Sequence, residues 1–369
     1  MTSGLPGDDK EQVRINLNGG LTLIPAPGFD RIAFDVKQII EGYYKDTPID
    51  IVPPVIKLRA SGEPCVQMGK EHIGGHDCVL ITSGPGTYKM ICETQFLLGQ
   101  IVGRRARRLM LVTAYQPLSR TDKDEGDLEF ALQMHVVHLF KSAAYGKLDR
   151  IIVVDLHSAQ GVQSGGQLGF ITEISLARRV LKRAVQDAIK EFPQAKIILI
   201  FPDENAGKRF RDAVIRVRDE ITREHSIELR ILHGQKIRED SRNSQFLGLF
   251  GHLGDIEALK GGIGIIFDDE ISTFGTNYDV AHEIWRRYDP RALRSAAIHG
   301  VFSENAAERI SSATNPISRI YITDTVPFDD RPHLNHLFES QRVVCVPWVQ
   351  DLAQVIYHYH WGQSIREKR

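Results

Sequence analysis

Short apolar runs alternate along this chain with longer segments in which apolar residues recur at the helical period. The runs are, in order, LTLIPA, CVLIT, LMLVTAY, IIVVDLH, KIILIFP, IELRILHG, IGIIFDD, AAIHGVF and RIYITDT. Those at residues 151–154 and 197–200 are apolar at every position, as expected of strands that are covered on both faces. This alternation predicts an α/β fold with mainly parallel sheets.

Polar segments follow several of these runs directly. QPLSRTDKDE comes after LMLVTAY, SAQGVQSGGQ after IIVVDLH, DENAGKRF after KIILIFP and SENAAERI after AAIHGVF. Ligands of open parallel sheets bind beyond the carboxyl ends of the strands. The position of these polar segments therefore predicts a functional site at that edge.

The most specific of these junctions is IGIIFDDEISTFGT, at residues 263–276. Asp268 and Asp269 can accept hydrogen bonds from two ribose hydroxyls, and residues 273–276 can surround a terminal phosphate at the start of the next helix. The alternative interpretation is a strand, an acidic turn and a helix cap that bind no ligand.

Size and composition narrow the possibilities. A chain of 369 residues with 42% hydrophobic content suits two domains. A net charge of −1 creates no overall field for nucleic acid or an anionic membrane, and no apolar run is long enough to span a bilayer. The arginine cluster at residues 104–108 is interpreted as an exposed helix end rather than a nucleic-acid site. Four cysteines without CxxC spacing indicate reduced thiols and a cytoplasmic protein.

Two further groups could carry chemistry. His157 follows one apolar strand and Asp203 the next, and such a sparse set suffices for Mg²⁺, which keeps several waters and binds substrate phosphates. The alternative is a pair of structural residues at the sheet edge. Lys236 and Arg238, in a loop predicted at HGQKIRED, could neutralise charge on a transferring phosphoryl group or could simply be solvated.

Taken together, the ordered segments SRTDKDE, VVDLHSAQ, FPDENAGKRF, LHGQKIRED, FDDEISTFGT and AIHGVFSENAAERI resemble the ribose-phosphate pyrophosphokinase family, also called phosphoribosyl pyrophosphate synthetases. The resemblance extends from about residue 20 to the C-terminal WVQDLAQVIYHYHWGQSI. It implies two phosphoribosyltransferase-like (type I), doubly wound α/β domains related by pseudosymmetry. The predicted organisation is an extended or disordered segment 1–17, domains 18–172 and 173–330, and a segment 331–369 that packs back on the first domain.

The resemblance also implies a reaction, in which the diphosphoryl group of Mg-ATP is transferred to ribose 5-phosphate to give phosphoribosyl pyrophosphate and AMP. Mg²⁺ is the implied cofactor, and a homo-oligomer, either a dimer or a hexamer, is the implied assembly. The implied ribose-phosphate residues are Asp268, Asp269, Ser272, Thr273, Phe274, Gly275 and Thr276. The implied ATP residues are Ser61, Glu63, Arg120, Thr121, Asp122 and Lys208; the implied metal ligands are His157 and Asp203; and the implied catalytic residues are Lys236, Arg238 and Arg120.

Four positions depart from the family pattern: Arg59, where the family often has an aromatic residue next to the adenine; Thr121 within the ATP loop; Gly234 directly after His233, where the catalytic lysine usually stands; and Phe274 in the phosphate loop. Phe274 must point away from the phosphate or narrow its pocket. These departures leave two other hypotheses open. One is the same chemistry on another 5-phosphoribosyl acceptor, and the other is a weakly active regulatory homologue that binds nucleotide or ribose phosphate.

Overall fold

The computed structural model describes residues 19–43, 47–70, 72–122, 130–158, 160–166, 169–238 and 244–365, with the side chains of 236–238, 244 and 245 outside the description. The prediction for segment 1–17 therefore lies outside the described residues.

Two separate sheets confirm the predicted α/β class with mainly parallel strands. The strands of the first half are β1 (Leu21–Pro25), β2 (Ile49–Ile51), β3 (Pro54–Leu58), β4 (Pro64–Met68), β5 (Asp77–Thr82), β6 (Arg108–Thr113), β7 (Leu148–Val154) and β8 (Ile171–Ile174). Six of them form a parallel sheet in the order β2-β1-β5-β6-β7-β8, and β3 pairs with β4 in a separate antiparallel hairpin.

The second sheet has seven strands in the order β11-β10-β9-β12-β13-β14-β15, all parallel except the antiparallel β10–β11 pair. These strands are β9 (Ile197–Phe201), β10 (Leu229–Arg238), β11 (Ser244–Phe250), β12 (Ile263–Ile271), β13 (Ala292–Gly300), β14 (Ile317–Thr323) and β15 (Val343–Cys345). The fully apolar runs at residues 151–154 and 197–200 are completely buried, because helices cover both faces of each sheet.

The helices connect the strands and bury their apolar faces on the sheets. They are α1 (Asp30–Tyr43), α2 (Tyr88–Gly103), α3 (Gln133–Ala143), α4 (Gln160–Gln163), α5 (Ala177–Glu191), α6 (Glu204–Arg209), α7 (Arg211–His225), α8 (Leu253–Leu259), α9 (Gly275–Tyr288), α10 (Ala306–Ser311), α11 (Asn335–Glu339) and α12 (Val349–His360), with a 3₁₀ turn at Pro332–Leu334. Within the described ranges, no helix combines the length and the apolar character needed to cross a bilayer. The four cysteines have free thiols.

The chain crosses between the two sheets near residue 175. The boundary predicted after residue 172 falls inside β8, which still pairs with β7 of the first sheet. Helix α5 then packs on β13 and β14 of the second sheet. The segment 331–369 divides between the two halves. Strand β15 extends the second sheet by pairing with β14, whereas α12 packs against α1 of the first half and the Trp361 Nε1 atom donates to the Thr47 hydroxyl (2.9 Å).

A buried ionic cluster fixes α12 to the first sheet. The Asp77 carboxylate accepts hydrogen bonds from the Arg108 Nε atom (2.8 Å), from the Arg108 Nη2 atom and from the His360 Nδ1 atom (2.8 Å). Arg108 also donates to the backbone carbonyl of His360 (2.8 Å). The prediction of an exposed helix end was therefore wrong for Arg108, which begins β6 and pairs with a fully buried acid.

Candidate functional site

Polar contacts join the carboxyl ends of the two sheets. Tyr115 and Arg120, which follow β6, contact Glu270 in β12, and His157, which follows β7, contacts Asp269. Parallel strands expose their carboxyl ends at one edge of a sheet, and here the two edges face each other. The candidate site is therefore the cleft between the two halves of the chain.

Asp269 is the centre of the first polar cluster. Its Oδ2 atom lies 2.6 Å from the His157 Nδ1 atom and 2.8 Å from the Arg209 Nη1 atom. Burial alone would raise the pKa of Asp269, but the hydrogen bond from His157 and the charge of Arg209 outweigh it and hold that pKa far below its usual range. Asp269 is thus an ionised carboxylate at neutral pH, with two donors directed at one oxygen.

Glu270 is the centre of the second polar cluster. One of its carboxylate oxygens accepts a hydrogen bond from the Arg120 Nη1 atom at 2.7 Å, and the other accepts one from the Tyr115 hydroxyl at 2.6 Å. The Glu270 side chain is only 5% exposed. Burial is the main reason that the pKa of Tyr115 is raised above its ordinary range, and the adjacent Glu270 raises it further.

Buried polar residues behind the cleft join the strand ends. The His299 Nε2 atom donates to the Val154 carbonyl (3.1 Å), and its Nδ1 atom accepts from the Thr325 hydroxyl (2.9 Å). Burial lowers the pKa of His299, so the imidazole is neutral. The Asp155 carboxylate accepts from the Leu176 backbone N–H (2.6 Å), and burial raises its pKa to about 7. These groups hold the cleft walls together.

The predicted phosphate loop lies between β12 and α9. The Ser272 and Ser303 hydroxyls are 2.8 Å apart, and Arg309 donates to the Thr273 carbonyl at 2.9 Å. Gly275 is the first residue of α9, and Thr276, the second, is exposed. The start of this 14-residue helix therefore faces the same edge as Asp269.

Phe274 points away from this loop. Its backbone is left-handed (φ 61°), and its side chain is 2% exposed within the core of the second half. The ring lies edge-on to Tyr278, with the two centroids 6.5 Å apart. Of the two predicted possibilities, the structure shows the ring buried rather than narrowing the phosphate pocket.

The two remaining acidic candidates each use one oxygen in local structure. Asp203 caps α6 through its Oδ1 atom, which accepts from the Ala206 backbone N–H at 2.9 Å. The Oδ1 atom of Asp268 accepts from the Asp269 backbone N–H at 2.9 Å. Among the described residues, no group of three or more metal-binding side chains is assembled. Any cation here would take most of its ligands from substrate and water.

The predicted ATP residues lie in different places. Arg120, Thr121 and Asp122 form the turn after β6, where the Thr121 hydroxyl donates to the Leu118 carbonyl at 2.9 Å. Ser61 and Glu63 lie at the exposed tip of the β3–β4 hairpin and hydrogen-bond to each other at 2.8 Å. Ser61 and Glu63 therefore belong to the two-stranded β3–β4 sheet, and not to the edge of the six-stranded sheet near Arg120.

The second half holds two adjacent cations in different environments. Lys208 is paired with Glu204 on the exposed surface, with nitrogen and oxygen 2.9 Å apart. Arg209, the next residue, turns inward to Asp269. The sequence suggested Lys208 as the ligand-binding residue of this pair, whereas the structure brings Arg209 into the cleft.

The prediction of a loop over residues 233–240 was wrong for residues 233–238. That segment is the continuation of β10, which pairs with β11 through Lys236 opposite Phe246 and Arg238 opposite Ser244. An irregularity between Gln235 and Lys236 interrupts the register. The partner strand β11 is the next element of the chain, so β10 and β11 are consecutive antiparallel strands.

Glu270 and Tyr115 are cleft residues that sequence reasoning missed, whereas Arg209 was considered together with Lys208 as an anion-binding pair. Glu270 directly follows the acid pair in β12, where successive side chains point to opposite faces of the sheet. Only the direction in which each side chain leaves the six-residue helix α6 distinguishes Arg209 from Lys208. No sequence motif pointed to the hydroxyl of Tyr115.

The two sheets and the polar cleft between them define a two-domain α/β protein of the phosphoribosyltransferase-like type. A crystal structure of phosphoribosylpyrophosphate synthetase from Mycobacterium smegmatis shares this fold, with a TM-score of 0.69 and 20% identity over 93% of this chain and 99% of that chain.

Curated relatives point to the same family. A ribose-phosphate pyrophosphokinase from Gloeobacter violaceus is 27% identical over 85% of this chain and 84% of its own length. Another from Prochlorococcus marinus is 24% identical over 99% and 98%. No family profile matches the chain. The chain is similar over most of its length to ribose-phosphate pyrophosphokinases, and this similarity supports the same enzyme class. It confirms the resemblance predicted from the motifs of the sequence.

Proposed function

We propose that this protein transfers the diphosphoryl group of Mg-ATP to the C1 hydroxyl of ribose 5-phosphate, giving phosphoribosyl pyrophosphate and AMP. The observation that carries the proposal is the pair of contacts across the cleft, Arg120 with Glu270 and His157 with Asp269. They bring Arg120 of the first half, which we assign to phosphate binding, close to the strand end that carries Asp269, which we assign to ribose binding. A two-substrate transfer requires that arrangement.

The acceptor half of the site is the end of β12 and the start of α9. Asp268 and Asp269 would accept hydrogen bonds from the ribose hydroxyls. Backbone N–H groups of residues 273–276 and the positive end of the α9 dipole would bind the 5-phosphate. The inward position of Phe274 supports this assignment, because it leaves the loop free of a bulky side chain.

The donor half would consist of Arg120, His157 and the strand that carries Lys236 and Arg238. Diphosphoryl transfer needs aligned reactants and cations that meet charge developing on the phosphates and the leaving AMP. Arg120 is already held at the cleft by Glu270. Lys236 and Arg238 would act from the end of β10.

The residues present fit Mg²⁺ as a cofactor. Asp203 uses its Oδ1 atom to cap α6, and hard cations prefer carboxylate oxygens as ligands. His157 has a second ring nitrogen beyond the one directed at Asp269. When bound, the ion would neutralise phosphate charge, and the protein residues would orient ATP and the ribose hydroxyl.

The test is release of AMP from Mg-ATP. We expect release that depends on ribose 5-phosphate, and excess EDTA should abolish it and added Mg²⁺ restore it. Absence of sugar-dependent AMP across varied phosphate and metal concentrations contradicts the proposal. A panel of 5-phosphoribosyl acceptors tests the first alternative, and tight ligand binding with negligible turnover would favour the regulatory homologue.

The two adjacent cations give a sharper test of the site. Arg209→Ala should lower kcat/KM at least about thirtyfold, because it leaves the buried Asp269 carboxylate without its cation. Lys208→Ala should change kcat/KM by less than about threefold, since an exposed pair such as Lys208–Glu204 contributes little. Equal losses in the two variants would contradict this assignment of roles.

The exposed β3–β4 hairpin supports a homo-oligomer. Its tip places Ser61 and Glu63 on a projecting element, where they could complete the ATP site of a neighbouring copy. We infer a dimer or hexamer that acts in the cytoplasm on ATP and ribose 5-phosphate, without a nucleic-acid or membrane partner.

A further inference from the structure

We propose that Glu270 is a positioning residue, which holds Arg120 ready to bind the phosphates of the donor nucleotide. This inference rests on the proposed function in so far as ATP is the donor. Its physical argument rests on the contacts of Glu270 across the cleft.

The Glu270 carboxylate is fully used by two partners from the other half of the chain. Each of its oxygens takes one hydrogen bond, from Arg120 at 2.7 Å and from the Tyr115 hydroxyl at 2.6 Å. Tyr115 is itself fixed, because its backbone N–H donates to the Ser83 hydroxyl at 2.8 Å and its ring centroid lies 4.9 Å from that of His299. Glu270 therefore has a defined orientation.

A carboxylate buried to this degree needs its partners. Removing an ionised group from water is strongly unfavourable unless an opposite charge and hydrogen bonds compensate. Arg120 supplies the charge through one nitrogen only. Its Nε and Nη2 atoms make no hydrogen bond to any residue that the structure describes, so these donors can bind an anion in the cleft.

Holding Arg120 in place before the substrate arrives favours binding. A free arginine loses side-chain entropy when it binds phosphate, and a prior contact reduces that loss.

A double-mutant cycle on Mg-ATP binding tests the role. We expect Glu270→Gln to weaken binding of Mg-ATP about tenfold in otherwise unchanged protein, and less than about twofold when Arg120→Ala is already present. The KM for ribose 5-phosphate should stay within about threefold of wild type. Tyr115→Phe, which leaves the Arg120–Glu270 pair intact, should weaken Mg-ATP binding by less than about threefold.

The matched control is Glu220→Gln. Glu220 is a mostly buried carboxylate on α7 that, like Glu270, has two hydrogen-bonding partners, here the cations Arg178 and Lys182, and it belongs to no part of the proposed site. This variant should bind Mg-ATP like wild type. If Glu270→Gln does not fold, as judged by thermal unfolding, Glu270→Met takes its place in the cycle, because an apolar side chain needs no partner there.

The outcomes separate the two proposals. The same loss of Mg-ATP affinity with and without Arg120, or no loss at all, overturns the role of Glu270. If wild type binds Mg-ATP but releases no AMP with ribose 5-phosphate, the proposed function fails, while the binding cycle still decides the role of Glu270. Non-additive losses together with turnover support both.

Discussion

Replacing Asp269 with asparagine is expected to lower kcat/KM for ribose 5-phosphate by about 10²–10³-fold, the equivalent of removing one partner from a buried charge pair. The substitution removes the charge opposite Arg209 and weakens the hydrogen bond from His157. It also removes a carboxylate oxygen proposed to accept a ribose hydroxyl. Steady-state measurements of AMP release at varied ribose 5-phosphate give the ratio directly.

The control for this prediction is Asp255→Asn. Asp255 forms a comparable ion pair with Arg230, 2.9 Å between nitrogen and oxygen, on α8 and away from the cleft. The Asp255→Asn variant should keep kcat/KM for ribose 5-phosphate within about twofold of wild type. A folded Asp269→Asn protein that retains more than a fifth of wild-type kcat/KM would show that Asp269 is not part of the acceptor site.

The second large effect concerns stability. Replacing Asp77 with alanine should lower the free energy of unfolding by about 3–5 kcal/mol, because Arg108 and His360 are left without their shared acceptor. Since this cluster joins α12 to the first sheet, the midpoint of urea unfolding at pH 7 should fall clearly. Asp50→Ala, which breaks an exposed pair with Lys70, should cost less than about 1 kcal/mol.

The same cluster predicts a pH dependence. Burial by itself would raise the pKa of Asp77, but the hydrogen bonds from Arg108 and His360 outweigh it and hold the pKa below its ordinary value of 3.8. Stability from this group is therefore fully present above that ordinary value and is lost as the pH falls through the lower native pKa. Asp77→Ala should flatten this acid-side loss, and an unchanged acid transition would contradict the assignment.

The cleft shows which site features could be predicted from the sequence. Asp268, Asp269 and residues 272–276 lie at a strand-to-helix junction, so local order alone placed them at the carboxyl edge. His157 was predicted for the same reason, since it follows an apolar strand, whereas Arg120 received its role only through the family resemblance. Their roles as ligand-binding groups remain proposals.

Long-range contacts were not predictable in this way. His360 was interpreted as part of an amphipathic helix, and α12 is a helix, but its ion pair with Asp77 joins residues 283 positions apart. Local sequence does not show such a partner. The loop predicted at Arg238 has a different reason: the stretch is polar and charged, and the strand that it pairs with, β11, follows only a few residues later.

The sequence by itself determined the fold class, the parallel strands and the edge at which polar residues collect, because apolar periodicity and strand-end chemistry are local properties. Only the tertiary structure decided that Arg209 rather than Lys208 turns to Asp269, that Phe274 is buried, and that Glu270 reaches across to Arg120. These outcomes depend on how two sheets distant in sequence face each other, and that arrangement is set by packing across the whole molecule.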